Sequence, residues 1–125
     1  MRIVGAVYLL VHGICHAVGF LVPWKIITSK EEPYKTTLFA GALEAGDVGI
    51  RLIGVFWLLT SVAFLVTAWG SFASLPWWRG SATALAAISL VLCVLGLPGA
   101  KIGILANLLL LAYLGALRFG WLRLG

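Results

Sequence analysis

The sequence predicts an all-α integral membrane protein, a bundle of four transmembrane helices in a single domain spanning residues 1–125. Three observations predict it. The chain is 62% hydrophobic and 10% charged, whereas soluble domains run near half apolar and about a quarter charged. Its mean hydropathy is +1.10. Its apolar residues come in unalternating blocks of the roughly twenty residues needed to cross a bilayer core.

The blocks lie at about 3–22, 52–69, 81–97 and 102–117. Backbone groups in hydrocarbon must be satisfied within a helix or a closed barrel, and blocks without alternation are read as helices. The first block is longer than the apolar core of a signal peptide and no lipobox leads into Cys15, so it is expected to be retained. Between it and the second lies a long polar loop, residues 25–50. The mildly apolar middle of this loop, Thr36–Ala45, follows Pro33 and is expected to form a short interfacial helix or lid. Trp24, Trp77, Trp78 and Trp121 stand at block ends, where an indole anchors to the interface. No soluble domain or disordered arm is expected beside the four spans.

The formal charge of +5 comes from cations scattered singly at span ends, which suits lipid headgroups and not nucleic acid. With alternating spans, Arg2, Arg79, Arg118 and Arg123 share one side, and Lys25, Lys30, Lys35, Arg51 and Lys101 the other. The acids Glu31, Glu32, Glu44 and Asp47 all fall in the long loop, and both termini are expected in the cytoplasm. Cys15 and Cys93 form no CxxC or CxxCH motif and are read as packing thiols.

The stretch "VHGICHAVGF" carries the chemistry. Counting 1.5 Å per residue from the loop side, His16 lies roughly 10 Å deep and His12 roughly 16 Å, near the midplane. Ser89 and Cys93 on the third span and Asn107 on the fourth come out at about 12, 6 and 8 Å. Gly5, Tyr8, His12, Cys15, His16 and Gly19 share one small or polar helical face, opposite Ile3, Val7, Leu10, Ile14, Val18 and Leu21. The third span has a stripe of Ala82, Ala86, Ser89, Cys93 and Gly96, which permits close helix approach. Ionisable residues inside spans point to function by default. The expected site is therefore a pocket lined by His12, His16, Ser89 and Asn107. Glu44, Asp47 and Arg51 are expected at its mouth, toward the long loop, with Asp47 and Arg51 at the i, i+4 spacing of an ion pair.

Several chemistries fit poorly. Gly13 stands where a zincin helix carries its glutamate, and zinc would need a further ligand from Glu44, Asp47 or Cys93; no metal is expected. Two histidines on one helix face cannot take opposite faces of one haem, so no haem or other cofactor is expected. Ser61 and Ser89 lie in no nucleophile elbow, and no phosphate-cradling glycine loop is present.

What remains is a binding or accessory protein whose histidine pocket takes an amphipathic small molecule such as a quinone, lipid headgroup or isoprenoid alcohol. It is expected to self-associate or to dock onto a larger membrane complex. A proton-coupled small-molecule transporter is the alternative and a membrane enzyme the third. In "VHGICHAVGF", "GDVGIR" and "GILANLLLL" the chain resembles small four-span bacterial membrane proteins of unknown function, some labelled transporter permease. In size it is similar to the small multidrug-resistance transporters, but a histidine stands where those carry a buried glutamate. DoxX-like proteins are a further four-span comparison. None of these resemblances assigns a role to a residue.

Overall fold

The computed structural model describes residues 2–28, 30 and 33–123; Glu31 and Glu32 of the expected acidic loop lie outside the described residues. The described chain is built on helices, in the order α1 (Arg2–His16), α2 (Val18–Leu21), β1 (Thr37–Leu38), β2 (Leu43–Glu44), α3 (Gly46–Phe72), α4 (Trp78–Leu95) and α5 (Lys101–Arg118). With α1 and α2 taken as one run, Arg2–Leu21, four helices are long and apolar enough to cross a membrane.

The helices overrun some of the apolar blocks and fall short of others. α3 begins six residues before the block expected at 52, at Gly46, whose φ of 70° turns the chain out of the hairpin. Asp47 then sits in its first turn, where a carboxylate offsets the positive helix terminus. At 27 residues α3 is about 40 Å long, more than a hydrocarbon core of about 30 Å, so a bilayer crossing would put its ends in the headgroup layers or tilt the helix. α4 stops at Leu95, short of the expected 97, where Gly96 caps it and Pro98 follows. Lys25, Ser74 and Gly120, with φ of 57°, 59° and 75°, end the first run, α3 and α5. At each, two backbone bonds close the last turn, as in Ile26 N–H to Leu21 O (2.9 Å) and Lys25 N–H to Val22 O (2.9 Å). This satisfies carbonyls that the helix end would orphan.

The loop middle forms no helix. It is an antiparallel hairpin in which Thr37 faces Glu44 and Leu38 faces Leu43. Its turn docks on the end of α4: Phe39 N–H donates to Leu95 O (2.7 Å) and Ala40 N–H to Leu97 O (3.0 Å). Free carbonyls at the α4 terminus supply acceptors that an interfacial helix could not use, and this accounts for the difference from the expected element.

α1 packs along α3, α3 along α4, and α4 along α5. α1 and α5 meet through side chains: Tyr8 Oη donates to Ala106 O (2.6 Å), and a Cβ on Gly5 would lie 3.1 Å from Tyr113 Oη. The apolar core, including Leu9, Phe64, Ala82, Ala86, Leu110 and Leu114, fills the half of the structure nearer the termini. Trp78 belongs to it at 4% exposure, so one of the four expected interfacial indoles is a core side chain. Outward faces are apolar: Ile3, Val7, Leu59, Val66, Val91 and Leu105 all stand more than half exposed. Large continuous exposed apolar surfaces are foreign to soluble monomers.

Close approach depends on missing side chains. A Cβ on Gly13 would come within 2.8 Å of Phe64 Cβ and 3.1 Å of Ser61 O, and one on Gly103 within 2.6 Å of Cys93 Sγ. Gly13→Ala is expected to lower unfolding free energy by about 1–3 kcal/mol, as overpacking does. Gly115→Ala, with nothing within 4 Å of the added carbon, is expected to be neutral or to stabilise by up to about 1 kcal/mol through helix propensity. Denaturant titration in detergent micelles checks both; equal effects would show that the α1–α3 contact is not tight.

Candidate functional site

Both histidines turn inward. His12 is 7% exposed and His16 3%, while Ser89 and Asn107 are fully buried. α1 supplies the histidines at i and i+4, the small-residue stripe of α4 supplies Ser89, and α5 supplies Asn107 one turn beyond Gly103.

Two backbone carbonyls orient everything between them. Gly103 O can only accept, so the Asn107 atom 2.9 Å from it is the amide nitrogen. That nitrogen also donates to Ser89 Oγ (2.8 Å) and approaches Cys93 Sγ at 3.5 Å. Asn107 Oδ1 then faces His12 Nε2 at 3.0 Å, and Nε2 must carry the proton. On the other side His12 O can only accept, so His16 Nδ1, 2.8 Å away, is the donor. His16 Nε2 is thereby the acceptor, and Ser89 Oγ–H donates to it at 2.5 Å. The four side chains form a closed circuit, and neutral His12 and His16 hold opposite tautomers.

Aromatic groups wall the circuit. The His12 and His16 centroids are 4.6 Å apart; Phe64 stands edge-on to His12 at 4.9 Å, and Trp57 lies 5.0 Å from His16. Ser61 donates to Gly13 O (2.6 Å) and ties α3 to the histidine helix.

The histidines also line a cavity of about 330 Å³ between α1 and α5. Tyr8, Cys15, Trp57, Gly99 and Ala106 complete much of its wall. Val11 and Ile102, 53% and 75% exposed, and Cys15, also exposed, form a rim that opens sideways on the apolar outer surface. Cys15 is thus a rim residue and not a packed thiol; Cys93 is buried. A neighbouring cavity of about 190 Å³ lies under the hairpin, bordered by Tyr34, Lys35, Leu38 and Pro98, and shares Gly19, Trp57, Gly99 and Ala100 with the first.

The structure therefore brings His12, His16, Ser89 and Asn107 together, with the last two behind the cavity wall. Glu44, Asp47 and Arg51 stand elsewhere and line neither cavity. Glu44 accepts from Gly46 N–H (3.0 Å). Among the described residues Asp47 and Arg51 form no ion pair. Asp47 Oδ1 accepts from Tyr34 Oη, and the Arg51 guanidinium lies over the Trp24 ring at 5.7 Å while Trp24 Nε1–H donates to Arg51 O (3.0 Å). The loop folds back and offers each a partner that helical spacing alone does not show. Trp57, Tyr8, Tyr34 and Lys35 are the wall residues that sequence reasoning missed as site residues; Tyr8 shared the polar face of α1, but nothing in the sequence marks the others.

No family model matches the chain, and no curated protein or solved structure shows a significant match to it.

Asn107→Leu would strand His12 Nε2–H and leave Ser89 short of a donor. It is expected to destabilise by about 2–3 kcal/mol, the cost of buried unsatisfied groups. Thr83→Val, at an exposed residue bonded to its own helix at Arg79 O, is expected to stay within about 0.5 kcal/mol. Equal losses in detergent unfolding would show that the circuit has no special weight.

At the loop, the hydrogen bond to Asp47 holds the Tyr34 phenol above its ordinary range, aided by desolvation and the Asp47 charge and opposed by Arg51. The bond therefore supports hairpin docking at pH values below the ordinary tyrosine range, and the support is lost as pH rises through the raised value. Ultraviolet titration of the wild type, with Tyr34→Phe subtracted, is expected to place Tyr34 above about 10. In Asp47→Asn the midpoint should fall; an unmoved midpoint would rule out the bond in solution.

Proposed function

We propose that the chain is a small four-span integral membrane protein that binds an amphipathic small molecule entering from the bilayer, with the histidine pair at the head of the cavity between α1 and α5. The observation that carries this reading is the cavity itself: about 330 Å³, rimmed by apolar side chains and walled at depth by two histidines whose orientation is fixed by their neighbours. Ligand sites are concave, mostly apolar and furnished with a few convergent polar groups. Both termini then share one side, which the loop acids suggest is cytoplasmic. Binding is put before transport because the Leu9, Phe64, Leu110 and Leu114 core packs against the terminal side of the histidine circuit.

Native mass spectrometry of protein released from mild detergent is expected to show a small-molecule adduct on the wild type. Ala106→Phe, which places a ring in the cavity without touching the circuit, is expected to lose the adduct while keeping the wild-type thermal midpoint within a few degrees. An adduct retained by the folded Ala106→Phe protein would place binding elsewhere, and absence of any adduct on the wild type would count against the reading.

A further inference from the structure

The circuit leaves one ring nitrogen without a hydrogen bond. Asn107 uses its oxygen on His12 and its nitrogen on Gly103 and Ser89. Ser89 gives its single proton to His16 and receives one from Asn107. His16 uses both ring nitrogens. His12 donates from Nε2, and among the described residues nothing bonds its Nδ1. Among the described residues no side-chain nitrogen or oxygen sealed from the surface lacks a partner, so Nδ1 retains accessible surface, and His12 lines the cavity. With its proton on Nε2, the ring offers a lone pair at Nδ1.

We infer that the cavity takes a ligand bearing a hydroxyl group on an apolar body, and that this hydroxyl donates its proton to His12 Nδ1. The inference rests on the binding reading above and narrows it. A carbonyl or ether oxygen would bring a lone pair against a lone pair. His12 could answer only by moving its proton to Nδ1, which would leave Nε2 facing Asn107 Oδ1 with no hydrogen between them. The amide cannot turn over in response, because Gly103 O requires the nitrogen where it is. A second proton on His12 would supply a donor only as an imidazolium, and among the described residues no carboxylate lines the cavity to offset that charge. The exposed apolar rim of Val11 and Ile102 matches the hydrocarbon part of such a molecule. An isoprenoid alcohol or a quinol has this chemistry; a quinone does not.

Farnesol, farnesal and farnesyl methyl ether share one body and differ in the donor. Each is titrated into the full chain in phosphatidylcholine nanodiscs, followed by tryptophan fluorescence and by nitrogen NMR of nitrogen-15 histidine-labelled protein. The alcohol is expected to bind about tenfold more tightly than the aldehyde or ether, the worth of one well-made hydrogen bond. The spectra should show His12 protonated at Nε2 and His16 at Nδ1, with farnesol moving the His12 Nδ1 signal. In His12→Phe the three probes should bind alike. Equal affinities in the wild type, or a His12 proton on Nδ1, would overturn the hydroxyl inference and leave the binding reading standing. Failure of all three probes on a wild type without a native adduct would overturn both. The tautomer measurement needs no variant, so misfolding of His12→Phe cannot shield the inference.

Discussion

The arrangement turns on the orientation of one buried amide. Asn107 is set by the Gly103 carbonyl, and from that contact the donor direction passes to Ser89 and His16 on one side and to His12 on the other. In hydrocarbon each of these groups would cost several kcal/mol if unpaired. A single interhelical hydrogen bond in a membrane contributes well under that, about 0.6 kcal/mol on average. The circuit matters chiefly through what its members would lose alone. It also joins α1, α4 and α5 beside the cavity between α1 and α5.

Small residues let that geometry exist. Gly13 brings α1 against Phe64 and Ser61 on α3, and Gly103 brings α5 against Cys93 on α4. These two tight seams hold the helix pairs, while the gap between α1 and α5 is spanned by long side chains such as Tyr8, His12 and Tyr113. Packing is therefore uneven around the circle of helices. The α1–α5 seam opens on the outer surface beside the two histidines of the chain.

The loop side is organised by a different logic. Phe39 and Ala40 donate to carbonyls left free at the end of α4, and Tyr34 holds Asp47 at the start of α3. The hairpin is thus fastened to two helix termini, covering the smaller cavity with Tyr34 and Lys35. Trp57 borders both cavities and lies beside His16, so one indole walls both the covered space and the sideways opening.

The sequence by itself determined the four long apolar helices and the inward turn of the histidines, because both follow from local physics: block length against bilayer thickness, and the cost of an imidazole in hydrocarbon. It also located Ser89 and Asn107, since rise per residue sets their depth and helical periodicity puts Ser89 on the buried stripe. Only the tertiary structure decided which of these groups bond, in what direction, and where the space beside them opens. Asp47 and Arg51 show why. Their spacing permits a pair, but Tyr34 and Trp24 reach them from outside the helix, and a competing partner is invisible in i, i+4 arithmetic. Trp78 at a block end reads as an interfacial anchor until α4 is packed and its ring falls within the core. Hydrogen-bond direction is more remote still, because it is set by the Gly103 and His12 carbonyls, atoms that every residue possesses and that composition and pattern cannot distinguish.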